Sequence, residues 1–140
     1  MIKMLSDDDA RRLFESARVA RLGCIVDGGP YVVPINCILE GNNLYSHSLR
    51  GLKISALREN RRACVQVDDI ESDIAWRSAI AFGNFEEVTN PNERADILNK
   101  LFRVFPSLTP VESTIALDGL AQEVIVFRIK VERFTAVSEG

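Results

Sequence analysis

Apolar residues recur along the chain with two different periods, and each switch between them predicts an element. Ser6 precedes Asp7, Asp8 and Asp9, and Leu13, Phe14 and Ala17 follow at helical spacing. A serine cap and carboxylates in the first turn suit the positive end of a helix dipole, so a helix to about Ala17 is predicted. Segments 19–26 and 31–40 are β-rich and flank Asp27-Gly28-Gly29-Pro30, residues that tolerate turn dihedrals, so they predict a β-hairpin. Gly41-Asn42-Asn43 repeats that logic before a third strand, 44–48, and an antiparallel meander of three strands is expected.

Over 51–60 the spacing turns helical again, through Leu52, Ala56 and Leu57 with Ile54 nearby. Segment 62–70 alternates, with Ala63, Val65 and Val67 on one side and Cys64, Gln66 and Asp68 on the other. A longer strand is expected over 75–88. Ala95, Leu98, Leu101, Phe102 and Phe105 recur at three- and four-residue steps, which predicts a second substantial helix over 92–105 that Pro106 stops. Segment 124–134 sets Phe127, Ile129 and Val131 against Arg128, Lys130 and Glu132, a strand with one wet face. Six strands interrupted by a few helices predict an antiparallel α+β domain, closed or nearly closed into a barrel. Residues 107–120 fit no pattern, and a lid, an edge strand and a subunit contact are all open there.

Composition narrows the function classes. A length of 140 residues, 46% of them hydrophobic, suits one domain with one core, spanning 1–140. Seventeen basic against twenty acidic residues give a formal charge of −3, with no overall drive toward nucleic acid or an anionic membrane. The start carries no secretory h-region and no later run is long enough to span a bilayer, so a soluble, cytoplasmic protein is expected. Cys24, Cys37 and Cys64 each sit in an apolar strand-like run and read as reduced, structural thiols.

With a single histidine, His47, and no CxxC spacing, no metal site is expected. Counting leaves a cysteine–histidine pair open, without a local signature for one. P-loop and GxGxxG motifs are absent, so an anion needs another seat. Ser48, Arg50, Lys53, Arg58, Arg61 and Arg62 crowd together with Glu59 as the only acid between them, and Gly51 opens the helix that carries Lys53. Helix starts offer amides to phosphate, and glycine admits it closely. On charge spacing alone a solvated helix face is the plainer reading. Trp76-Arg77-Ser78 is a second candidate, because strand alternation turns Arg77 away from the face that Trp76 and Ser78 share. An ordinary strand with one wet arginine is the plain alternative.

The series PYVVPINCILEGNNLYSHSLRGLKISALRENRRACVQVD, followed by WRSAIAFGNFEEV, resembles the flavin-binding split β-barrel proteins related to phosphopyridoxamine oxidase. The likeness is greatest to the branch that includes nitroimidazole-resistance flavoproteins, and it joins a proline-containing second strand, a YxHSxxGxK segment and WRS at compatible spacing. It implies a split β-barrel that binds flavin mononucleotide (FMN). Val33, Pro34, Ile35 and Asn36 would lie along the isoalloxazine, and Tyr45, Ser46, His47 and Ser48 would add polar contacts. Gly51 and Lys53 would hold the phosphate. Such proteins dimerise around two flavins, so Trp76, Arg77 and Ser78 would reach the cofactor from a partner subunit.

The chain departs from phosphopyridoxamine oxidases proper, whose longer C-terminal tail grips substrate phosphate with arginine and histidine; VERFTAVSEG has no histidine, and vitamin oxidation is not expected. Cys37 stands where relatives often carry an aromatic residue, which implies a wider ring pocket. The resemblance points to a homodimeric oxidoreductase that reduces a small acceptor such as a nitroaromatic or quinone, with His47 as proton donor. A non-enzymatic flavin sensor, a deazaflavin protein and a haem-binding or haem-degrading module that uses His47 as axial ligand are the alternatives.

Overall fold

The computed structural model describes residues 1–106 and 124–140. The expectations for 107–120 lie outside the described residues. Among the described residues, three helices, α1 (Asp7–Ser16), α2 (Leu52–Glu59) and α3 (Pro91–Val104), accompany eight strands. The strands are β1 (Ile2–Met4), β2 (Ala20–Val26), β3 (Gly29–Ile35), β4 (Cys37–Glu40), β5 (Asn43–Leu49), β6 (Arg62–Ser72), β7 (Ala75–Glu87) and β8 (Val124–Glu139). No described helix is long and apolar enough to cross a membrane.

Helix α1 starts as its sequence predicts. The Ser6 hydroxyl accepts from the Asp9 amide, and the Asp9 carboxylate accepts from the Ser6 amide, closing a capping box. The hairpin after β2 turns through Asp27 at φ 49° and Gly28 at φ 77°, the left-handed pair that matches the twist of its strands.

All ladders are antiparallel, in the order β3-β2-β6-β7-β8-β5-β4, with β1 added to the far end of β8. Two expectations change here. Six strands become eight, because the segment over 31–40 breaks in two at Asn36 and because β1, three exposed residues with no readable period, pairs Ile2 with Glu139. The three-strand meander does not form either. β3 pairs β2 and β4 pairs β5, at opposite ends of the sheet, although only Asn36 separates them in sequence.

One residue can bridge two sheet edges only if the sheet curls until they meet. The result is a barrel split at Asn36, which no ladder among the described residues closes. Pro30 and Pro34 belong on such an edge, because an edge strand has one side without a ladder to feed. A bulge helps the curl where the pairing steps from Phe82–Arg133 to Gly83–Val131, leaving Glu132 as the extra residue. A Cβ on Gly83 would lie 2.0 Å from the Lys130 carbonyl oxygen, so the approach of β8 requires glycine there.

Strand alternation divides the apolar residues into two cores. Leu22, Leu44, Val65, Val67, Phe127 and Ile129 face the barrel interior and pack with Leu13 and Phe14 of α1 and Ile54 and Leu57 of α2. Tyr45 and Val126, on the other face of β5 and β8, pack beneath Ile97 and Leu101 of α3.

Candidate functional site

Strand β5 carries the residues around which the site is built, and its alternation decides what each can do. Ser46 and Ser48 point with Leu44 toward the interior and are buried. The Ser46 hydroxyl donates to the Asn36 carbonyl at 2.6 Å and that of Ser48 to the Leu49 carbonyl at 2.8 Å. Both are partnered within the chain, and the first pins the barrel's split. Asn36 donates to the Arg18 carbonyl at 2.8 Å, so one residue ties β5 to the segment between α1 and β2. Val33, Pro34 and Ile35 continue from it along the β3 edge, paired with Leu22, Arg21 and Ala20.

Tyr45 and His47 occupy the opposite face. Tyr45 is buried, and its hydroxyl bonds Arg128, which also holds Glu86 and reaches Glu93 on α3 at 3.1 Å. That guanidinium holds the Glu86 carboxyl below its ordinary range. His47 is half-buried beside Val126, and its ring meets the Phe102 ring at 5.4 Å and 62°, edge to face.

After β5, Gly51 opens α2 with extended backbone, and a Cβ there would meet nothing within 4 Å. The start of α2 carries no side-chain cap and its first turn no acid, whereas Ser6 caps α1 and Asn90 caps α3. Lys53 is half-buried in that first turn and lies within electrostatic reach of Cys24. Amides without a cap, an open glycine position and a lysine form a donor set that fits a phosphate.

The basic cluster read from the sequence is partly dispersed by partners that local spacing could not reveal. Arg58 bonds Glu87 of β7 at 2.5 Å, and Arg62 pairs with Glu132 of β8 at 3.5 Å. Burial pushes the Cys37 thiol up to about 12 and raises that of Cys24, so both are held protonated, and the three cysteines are free.

Trp76, Arg77 and Ser78 sit elsewhere. They line or adjoin a cleft of about 230 Å³ with Asp69, Glu71, Ser138 and Glu139, and Arg77 pairs with Asp69 at 3.1 Å. Arg77 thus has a partner inside its own chain. Ser78 accepts from the Gln66 amide at 3.0 Å. These residues pair with β8 at Val137, Ser138 and Glu139, whereas His47 pairs with Val126. Eleven residue steps of strand lead from Val126 to Val137, roughly 36 Å of path along β8. Within one chain, therefore, WRS does not join β5 and α2.

Sequence reasoning missed Phe102 and Arg18 as neighbours of the site. The spacing of Phe102 reads as one more apolar residue of the helix, and Arg18, whose guanidinium lies 5.1 Å over the Phe105 ring, follows α1 without any motif.

A family model described as pyridoxamine 5'-phosphate oxidase matches residues 6–137. A curated, uncharacterized protein of Rhizobium meliloti (strain 1021) is 31% identical over 87 residues, which is 62% of this chain and 58% of that one. The match thus spans little more than half of that relative's length. Among solved structures, a FAD-binding protein of Mesorhizobium loti superposes with a TM-score of 0.81 at 26% identity, covering 100% of this chain and 99% of the other. A Bacteroides thetaiotaomicron protein named for 5-nitroimidazole antibiotic resistance gives 0.77 at 22% identity, over 99% and 89%, a likeness of fold.

Proposed function

The chain belongs to the pyridoxamine 5'-phosphate oxidase family, and on that premise we propose that it is a flavoprotein that binds FMN as a homodimer and reduces a small acceptor such as a nitroaromatic or a quinone. The observation that carries this reading is the junction of β5 and α2. Its histidine, His47, stands on a strand that runs directly into a helix start without a side-chain cap, opened by Gly51 and bearing Lys53. The full-length likeness to a FAD-binding protein supports a flavin. Among the described residues we read one phosphate seat, at Gly51 and Lys53, and that favours the mononucleotide.

When bound, the flavin supplies the electron transfer. The chain's own residues bind and orient. The first amides of α2 and the Lys53 ammonium hold the phosphate, while the backbone of Val33, Pro34, Ile35 and Asn36 forms a wall at the split, fixed by Ser46 and Arg18. Tyr45 anchors β5 beneath α3, which keeps His47 in place. A quinone reduced to its hydroquinone takes two electrons and one proton that originate as the hydride of a reduced nicotinamide, and a second proton that His47 donates and regains from solvent. Trp76, Arg77 and Ser78 complete the pocket from the partner subunit, a role consistent with their separation from β5 in a single chain.

The test is steady-state turnover of the flavin-loaded protein with reduced nicotinamides and a panel of nitroaromatics and quinones. Turnover that falls in His47→Ala supports the reading. A flavin-loaded protein that reduces none of the panel is a binder or sensor and not an enzyme of this class.

A further inference from the structure

Helix α3 lies across the outer face of β5 and β8, and its buried side is explained by packing: Ile97 and Leu101 close the second core over Tyr45 and Val126. Phe102 is not explained that way. It follows Leu101 by one helical step, about 100° around the axis, which takes it off the buried stripe. Leu101 is 0% exposed and Phe102 37% exposed. A phenylalanine that is partly in water and partly against the one histidine of the chain forms a wall with an open side.

That wall is held from both ends. Asn90 caps α3 and Arg128 reaches Glu93, while Lys100 pairs with Glu40 at 3.0 Å. The Arg94 guanidinium donates to the Val124 carbonyl at 2.6 Å. At the far end, the Phe105 ring lies under Arg18, whose carbonyl Asn36 grips. A helix tied to β4, β8 and the barrel's split keeps its side chains at fixed distances from β5.

We propose that Phe102 is a specificity-determining residue that limits which acceptors reach His47, admitting single-ring nitroaromatics and quinones and turning away fused two-ring ones. The inference rests on the reading of His47 as the group that meets the acceptor. Its physical basis is steric. A ring 5.4 Å from the imidazole leaves no room between them for a second aromatic layer, so an acceptor that reaches the imidazole must come in beside the Phe102 ring, where a fused pair needs more space than a single ring.

The experiment compares wild type, Phe102→Leu and Phe102→Ala, each loaded with FMN, by kcat/KM for 1,4-benzoquinone and for 2-methyl-1,4-naphthoquinone. Because the chain holds one histidine, the imidazole proton resonances report on His47 without assignment by mutation. The expected result is a shift in the ratio of the two kcat/KM values toward the two-ring quinone by about tenfold in Phe102→Ala and less in Phe102→Leu, the range that a small change in pocket volume gives. It is accompanied by displaced imidazole signals in an otherwise preserved spectrum. A ratio unchanged within about twofold, with the imidazole signals displaced, overturns the role of Phe102 while leaving the flavin reading intact. A wild type that reduces neither quinone, with imidazole signals that do not respond to FMN, sinks the functional reading and this inference together.

Discussion

The two faces of β5 carry similar residue types and use them differently. On the inner face, Ser46 and Ser48 are spent on the carbonyls of Asn36 and Leu49, among Leu44, Phe127 and Ile129. On the outer face, Tyr45 is buried under α3, but the next residue on that side, His47, lies where the helix cover thins at Phe102. A motif read as one ligand-binding unit therefore divides by side-chain alternation into residues that build the barrel and one half-buried residue on the other face, His47, to which we assign the chemistry.

The sharpest way to break that division is at the interior. Phe127→Ala removes a fully buried ring from the inner core and is expected to cost about 4 kcal/mol in denaturant unfolding, the usual range for such a cavity. A loss under about 1 kcal/mol would mean that the inner face is not the main core. The serine–histidine contrast comes next. Ser46→Ala leaves the Asn36 carbonyl without its partner and is expected to cost about 2 kcal/mol, a loss of stability that outweighs any change in acceptor turnover per bound flavin. His47→Ala should do the reverse, leaving the unfolding midpoint nearly in place while turnover falls. If both variants changed the same quantity, the two faces would not be separate in function.

The smallest expected effect concerns α2. Lys53→Ala is expected to weaken FMN binding about tenfold, which corresponds to about 1.4 kcal/mol. Arg58→Ala, which removes only a surface pair with Glu87, should weaken it less than about threefold, since exposed pairs contribute little. Equal losses by calorimetric titration would point to a diffuse basic surface in place of a phosphate seat.

Long amphipathic elements were legible in the sequence because their apolar periods are unbroken. The structure sets α1, α3, β6 and β7 within a residue or two of the predicted bounds. The break at Asn36 was not legible. Residues on both sides of it alternate as one strand would, and only the pairing partners, β2 on one side and β5 on the other, separate the halves. Strand β8 runs five residues beyond its predicted end because β1 and β7 continue to pair with it after its own alternation fades.

Of the candidate site, the sequence order alone placed His47, Gly51 and Lys53 on one strand-to-helix junction. Partners from distant elements were out of reach of local spacing. Glu87 and Glu132 neutralise two members of the basic cluster, and Asp69 faces Arg77 across the β6–β7 hairpin. Phe102 continues the spacing of Leu98 and Phe105, which are half-buried, and only the way the helix lies on the sheet leaves it exposed.

The central claim, that this chain holds a flavin mononucleotide, is tested most directly by the absorption spectrum of the purified protein together with the mass of the cofactor released from it. The account predicts a yellow protein with the two visible flavin bands and a released molecule of the mass of FMN. An intense Soret band, or a protein that stays colourless after incubation with FMN, would contradict it.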